Sequence, residues 1–322
     1  MSNLGIIDIG SNTVHLLIIN IINKSNHKVV YKSKEHLRLG SELILSKKIS
    51  SSKIKEIISI LKSYLEVCKL FKTSQVIAVA TEALRIAENN NHLLYLVKSM
   101  LGINIKILSS DEEAYLAYSG VKTIYNLNNG IIIDSGGSST EFIQVKNNTF
   151  IKSSSIHLGA INVTNKIKTN SLGQYINCTY SREYFNNIFS SIHWLKNFNN
   201  LTVIGIGGTF KNLRNIYINL NSNINQNISY TEISPFALLL LCNYIKKLSL
   251  SERCNLKGLS NKRADIILGG CEIISNLINY LDIKNLIISP EGLRSGIIYN
   301  YIEGNYYIKD KTFINKLIVN SN

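Results

Sequence analysis

Residues 5–19, GIIDIGSNTVHLLII, and residues 131–145, IIIDSGGSSTEFIQV, are two versions of one plan. Each runs an apolar strand into an aspartate, Asp8 or Asp134, then a turn of small polar residues, then a second apolar strand. β-rich runs flanking a Gly, Ser, Asn and Thr cluster read as a β-hairpin. The two aspartates stand 126 residues apart. That is about one domain of chain, so the repeat points to two related halves rather than a short tandem array. The boundary is expected between 123 and 130, giving residues 1–124 as a first domain, 125–302 as a second, and 303–322 as a tail or helix.

The sequence around the hairpins alternates strand and helix signals. Residues 53–70 place Ile54, Ile57, Ile58, Leu61, Leu65 and Cys68 at helical spacing. Residues 76–80 read as a buried strand running into a helix near Thr81, and 103–108 as a strand feeding a helix after Ser109 and Ser110. VIGIGGT at 203–209 is a third strand-to-glycine turn, again followed by a helix. Residues 236–248 and 264–281 read as helices, 286–289 as a strand, and Asn219–Tyr230 as a polar, low-complexity loop. Such alternation is the mark of an α/β architecture.

Composition bounds the partners. The 322 residues carry 35 Lys and Arg against 21 Asp and Glu, a net charge of +14, with 45% apolar and 17% charged residues. That apolar content excludes disorder over most of the chain. The basic excess suits an anionic partner, although drift towards Asn, Ile and Lys would produce the same balance. Five scattered cysteines without a CxxC pair argue against a disulfide framework or zinc site and suit a reducing cytoplasm. The N-terminus has no basic leader region and no apolar run is long enough to span a bilayer, so neither a signal peptide nor a membrane partner is expected. GxxxxGK[ST], HExxH and GxSxG are absent, as is a basic stripe interleaved with aromatics, which disfavours P-loop enzymes, zincins, α/β-hydrolases and a dedicated nucleic-acid module.

The turns carry the chemistry. Small residues after a buried strand let backbone N–H groups converge on phosphate oxygens, with Ser11, Asn12, Thr13, Ser138, Ser139 and Thr140 adding donors. An Asp at each strand end can hold Mg²⁺ beside them. In LSSDEEA, 108–114, Glu112 and Glu113 have two readings. Ser followed three residues later by Glu is a helix capping box, whereas a Glu projecting into a cleft would deprotonate water. Arg85, Lys211 and Arg294 are solvated side chains or phosphate clamps.

With these residues in view, the chain resembles the exopolyphosphatase / guanosine pentaphosphate phosphohydrolase family, over roughly residues 4–302. The two hairpins look like the family's two phosphate hairpins, the second normally written DIGGGSTEL. ATEALRIA, ILSSDEEA, IHLGAINVT, GIGGTFKNL, GLSNKRADIILGG and SPEGLRSGIIY look like its other blocks, in family order. The resemblance implies an α/β fold of two RNase H-like domains, of the actin and sugar-kinase superfamily, with an active cleft between them. It implies hydrolysis of a terminal phosphate with Mg²⁺ or another divalent cation. By position, Glu113 would be the catalytic base, and Asp134 and Glu141 would hold metal, with Asp8 supporting it through water. Gly136, Gly137, Ser138, Ser139 and Thr140 would cradle the phosphate, contacted also by Ser11, Asn12 and Arg85. Gly208, Thr209 and Lys211 would lie along the polyanion.

The expected substrate is inorganic polyphosphate, with guanosine pentaphosphate converted to the tetraphosphate as the alternative. A (p)ppGpp-binding regulator and an ATP-dependent sugar kinase of the same fold are further readings. A homodimer is the default for soluble enzymes. Ending at 322, the chain is expected to be a short form without the C-terminal helical domain of longer members. Three departures stand out: Ser138 for the third glycine of GGG, Ser135 for an apolar residue, and Ser110 for the glycine before the acids. Serine does not easily occupy a turn position that needs positive φ.

Overall fold

In the computed structural model, which describes residues 2–23, 26–198, 201–221, 230–304 and 314–316, the opening hairpin forms as read. β1 (Ser2–Ile9) pairs antiparallel with β2 (Thr13–Asn23), setting Asp8 opposite His15, and β2 pairs with β3 (Asn26–His36). After α1 (Leu39–Ser46) and α2 (Ser51–Leu70), β4 (Thr73–Ala80) returns parallel to β1. β1 is buried from Leu4 to Ile9 without a break, as befits a strand covered on both faces. The α2 residues at helical spacing are all buried, and Ser50 caps the helix by accepting from the Lys53 N–H. α3 (Glu82–Ile86), α4 (Asn90–Leu101), β5 (Lys106–Ile107, parallel to β4) and α5 (Ser110–Lys122) follow.

The second hairpin repeats the plan. β6 (Asn129–Ser135), β7 (Thr140–Lys146) and β8 (Thr149–Ile156) form an antiparallel meander. α6 (Ala160–Thr164), the small ribbon of β9 (Ile167–Thr169) and β10 (Tyr175–Cys178), and α7 (Arg182–Ser190) come next. β11 (Leu201–Ile206) then lies parallel to β6 and leads directly into α8 (Gly207–Leu220). β12 (Thr231–Glu232), α9 (Pro235–Lys247), α10 (Leu250–Asn255), α11 (Ile267–Tyr280), β13 (Ile283–Ile288), α12 (Leu293–Glu303) and β14 (Ile314–Lys316) complete the described chain. The sheets run β3-β2-β1-β4 and β8-β7-β6-β11-β13-β12, so three antiparallel strands are followed by a parallel one in both.

The chain divides into two compact units, one of Met1–Glu113 with Ile298–Asn322 and one of Ala114–Ile297. The division falls ahead of the expected 124/125 because Ala114, Ala117, Tyr118 and Val121 of α5 are buried with Ile132, Ile143, Val145, Ile204 and Ile206 of the second sheet. The other face of that sheet, with Ile131, Ile133, Phe142 and Val203, packs on Phe185, Phe189, Phe210 and Leu268. Alternate residues of β6 thus serve opposite faces. α5 and α12 meet where side chains are missing. A Cβ on Gly296 would lie 1.7 Å from the Leu116 carbonyl oxygen, and one on Gly120 2.0 Å from that of Gly292.

Three expectations change. The strand at 103–108 contracts to Lys106–Ile107. Ile314–Lys316, expected within a tail or helix, pairs antiparallel with β4, and the buried Asn315 amide bonds the Val76 and Asn104 carbonyls. α8 extends through Leu220, and residues 222–229 of the expected polar loop lie outside the described residues. Among the described residues, no helix is long and apolar enough to cross a membrane.

Candidate active site

The two hairpin turns share their hydrogen bonds as well as their residues. The Gly10 N–H donates to the Thr13 carbonyl at 2.9 Å, and the Gly136 N–H to the Ser139 carbonyl at 3.0 Å. Following chain segments then tie down the turn carbonyls. Ser11 O accepts from the Gly40 N–H (2.7 Å), and Asn12 O from Leu37 and Arg38 (both 3.1 Å). In the second unit, Gly136 O accepts from Ala160 (3.2 Å) and Gly137 O from Ile161 (2.8 Å), both on α6. A trans peptide points its N–H opposite to its C=O. The Gly137 and Ser138 amides are therefore turned away from α6, the arrangement that makes an anion cradle. Gly159 permits this contact, since a Cβ there would lie 2.3 Å from the Gly137 oxygen. Among the described residues, neither Ser138 nor Ser110 has a positive φ, so the serine substitutions carry no left-handed strain.

Several buried donors around these turns make no hydrogen bond within the protein: Asn12 Nδ2, Ser135 Oγ, Ser138 Oγ, Thr209 Oγ1 and Arg263 Nε. A buried polar atom left without a partner is costly, and a ligand is one way to satisfy it. Ser11 and Ser139 are buried beside them. Thr140 is not free to contribute its proton, because its hydroxyl donates to the Leu158 carbonyl at 2.6 Å.

Asp134 and Glu141 are direct cross-strand neighbours on β6 and β7, which puts both carboxylates on one face of the sheet. Glu141 is almost fully buried and accepts from Ser155 Oγ at 3.0 Å. Asp134 lies against the start of α8. A Cβ on Gly207 would stand 2.2 Å from Asp134 Oδ1, and Gly207 has φ +86°, so only glycine suits this position. The head of a helix carries unpaired N–H groups and partial positive charge, and here it consists of Gly207, Gly208 and Thr209. Behind it sits Arg263, whose Nη1 would lie 1.9 Å from a Cβ on Gly208. Burial pulls this guanidinium down to about 10, with Asp265 pulling the other way. Lys211 is exposed on the first turn of α8.

The donor set fits a divalent cation. Among the described residues no three His, Cys, Asp or Glu side chains group to hold a metal. Two adjacent carboxylates remain, and Mg²⁺ characteristically takes one or two carboxylates and fills its shell with water and substrate phosphate.

In the first unit, tertiary contacts separate the two glutamates. Glu112 forms the capping box: the Ser109 N–H donates to its carboxylate at 2.8 Å, and its own N–H donates to Ser109 Oγ at 3.1 Å. Glu113 is buried instead and accepts from Arg85 Nη1 at 3.1 Å. The rest of the Arg85 fork is also engaged, by Glu82 (2.7 and 3.1 Å) and the Leu108 carbonyl (2.6 Å). Burial opposes the Arg85 charge, but Glu113 and Glu82 outweigh it and hold the guanidinium above its ordinary value. Asp8 is buried at the end of β1.

Arg85→Ala is therefore expected to leave two buried carboxylates unneutralised and to cost about 3 kcal/mol of stability. Arg85→Lys should recover only part of this, since one ammonium cannot span both acids and the carbonyl. Denaturant titration of the three proteins checks both outcomes.

Glu82, Ser155, Gly159 and Arg263 are site residues that sequence reasoning did not single out. Glu82 had a local signal in its i,i+3 spacing to Arg85 on a helix, and Gly159 and Arg263 lie within the blocks IHLGAINVT and GLSNKRADIILGG. The predicted residues form two sets. Asp8, Ser11, Asn12, Arg85 and Glu113 belong to the first unit, and Asp134, Gly136–Thr140, Glu141, Gly208, Thr209 and Lys211 to the second.

Comparison with known proteins adds to this geometry. A model of the Ppx/GppA phosphatase family matches residues 18–304. The chain is 26% identical over 316 residues to a bifunctional 3-dehydroquinate synthase/phosphatase of Fusobacterium nucleatum, covering 92% of this chain but 46% of that protein. It is 25% identical over 304 residues to exopolyphosphatase 1 of Mycobacterium tuberculosis, covering 93% and 88%. It is 24% identical over 309 residues to a guanosine-5'-triphosphate,3'-diphosphate pyrophosphatase of Aeromonas salmonicida, covering 93% and 59%. The chain thus spans about half the length of the first relative and most of the second. Among solved structures, an exopolyphosphatase from Cytophaga hutchinsonii matches with TM-score 0.83 at 22% identity, covering 94% of this chain and 98% of that one. That likeness shows the fold, two RNase H-like domains, in keeping with the repeated strand order. With a family model matched across most of its length, the chain belongs to the Ppx/GppA phosphatase family, and so to the hydrolases.

Proposed function

We propose that the protein removes the terminal phosphate of inorganic polyphosphate as orthophosphate, by attack of water. One observation carries this reading. Unsatisfied buried donors stand in each unit, Asn12 Nδ2 on the first turn, and Ser138 Oγ and Thr209 Oγ1 on the second turn and at the head of α8, and the carbonyls of both turns are tied away.

In this reading the Gly137 and Ser138 amides and the α8 N–H groups hold the terminal phosphoryl oxygens. Glu113 accepts a proton from water as the water oxygen attacks phosphorus in line. The bridging P–O bond breaks, and its electron pair leaves with the shortened chain. Arg85 orients Glu113 and shares its charge with the phosphate. A divalent cation held by Asp134 and Glu141, neighbours across β6 and β7, would supply further charge neutralisation. Positioning and charge stabilisation provide most of the rate in such transfers.

Guanosine pentaphosphate is the second reading, supported by the similarity to the Aeromonas protein. Purified protein with Mg²⁺ and, separately, short polyphosphate, long polyphosphate, guanosine pentaphosphate or ATP should release phosphate fastest from polyphosphate. Faster release from guanosine pentaphosphate would exchange the two readings. Tight nucleotide binding without release would support a regulator, and transfer from ATP to an added acceptor a kinase.

A further inference from the structure

We infer that Asn162 is a positioning residue for the second turn: its side-chain amide fixes the Ser138 carbonyl and so aims the Ser139 N–H at the bound phosphate. The inference rests on the reading of this turn as a phosphate cradle, and it gives a role to a residue of the IHLGAINVT block that the sequence reading left without one.

Three successive carbonyls of the turn are held from the same side. Gly136 O and Gly137 O accept from the backbone N–H groups of Ala160 and Ile161. Ser138 O accepts from Asn162 Nδ2 at 2.9 Å. The first two bonds survive substitution at 160 or 161 by anything but proline, because they come from the main chain. The third depends on one side chain. Since the 138–139 peptide points its N–H opposite to its C=O, the Asn162 bond extends the outward-facing amides from two to three.

The orientation of the carboxamide is itself determined. Its NH₂ group faces the Ser138 carbonyl, which can only accept, and lies 3.1 Å from His157 Nε2. Turned over, it would place its oxygen against the Ser138 oxygen. Without Asn162, the 138–139 peptide can rotate its carbonyl towards the anion, replacing an attractive donor by a repulsive acceptor.

The test uses the whole protein with Mg²⁺ and two variants close to Asn in size, Asn162→Leu and Asn162→Asp. Steady-state phosphate release from tripolyphosphate gives kcat and KM, calorimetry with methylenediphosphonate gives binding without turnover, and thermal unfolding gives Tm. The Ser139 amide is a uniform binding contact, so KM and the dissociation constant should rise about 10- to 100-fold, with kcat changed by less than about threefold. The Tm should move by only a few degrees. Wild-type binding and KM in both variants would overturn the assignment, as would loss of binding only in step with a collapse of Tm. If the wild type neither binds the diphosphonate nor releases phosphate, the cradle reading itself falls, a result distinguishable from failure of Asn162 alone.

Discussion

Replacing Glu113 by Gln is expected to lower turnover by about 10²–10⁴-fold while leaving substrate binding nearly unchanged. Gln keeps the shape of Glu and an oxygen that can still accept from Arg85 Nη1, so the local structure should persist. What it loses is the capacity to take a proton from water. Glu112→Gln is the internal control. Its carboxylate already caps α5 through Ser109, so the substitution should cost stability of about 1 kcal/mol or less and little activity. Parallel measurement of kcat and of diphosphonate affinity separates the two. Full activity in Glu113→Gln would remove it as the base.

The second large effect is expected at Asp134. Asp134→Asn preserves size beside Gly207 but removes one of two carboxylates on that face of the sheet. Activity at fixed Mg²⁺ should fall by about 10- to 100-fold, and the Mg²⁺ concentration for half-maximal rate should rise by a similar factor. If excess Mg²⁺ restores the rate, the role is charge and coordination. An unchanged Mg²⁺ dependence would take Asp134 out of the metal site. Mg²⁺ removal by a chelator should abolish phosphate release from the wild type.

The hairpins were legible because their signal is local. Strand, aspartate, small turn and strand occupy 15 consecutive residues in each of GIIDIGSNTVHLLII and IIIDSGGSSTEFIQV. The shared Gly-to-Ser/Thr turn bonds follow directly from that pattern. The α2 helix was equally plain, because its buried face repeats at helical spacing. Other features depend on which distant segment arrives. Arg263 reaches Gly208 from 55 residues away, and Ile314–Lys316 finds an edge of β4 more than 200 residues upstream. No periodicity records such meetings.

The acids show the same division most clearly. The sequence alone established that an acid pair stands at the head of a helix, and capping chemistry made either Glu112 or Glu113 eligible for the cap. Only the fold decided that Glu112 turns back to Ser109 while Glu113 is buried against Arg85. Sequence likewise established that Asp134 and Glu141 flank a turn, but register put them opposite one another on one face. Local spacing fixes which way the backbone hydrogen-bonds. Burial, charge pairing and the orphaning of donors are properties of residues remote in the chain, and those are settled when the sheets and helices close around them.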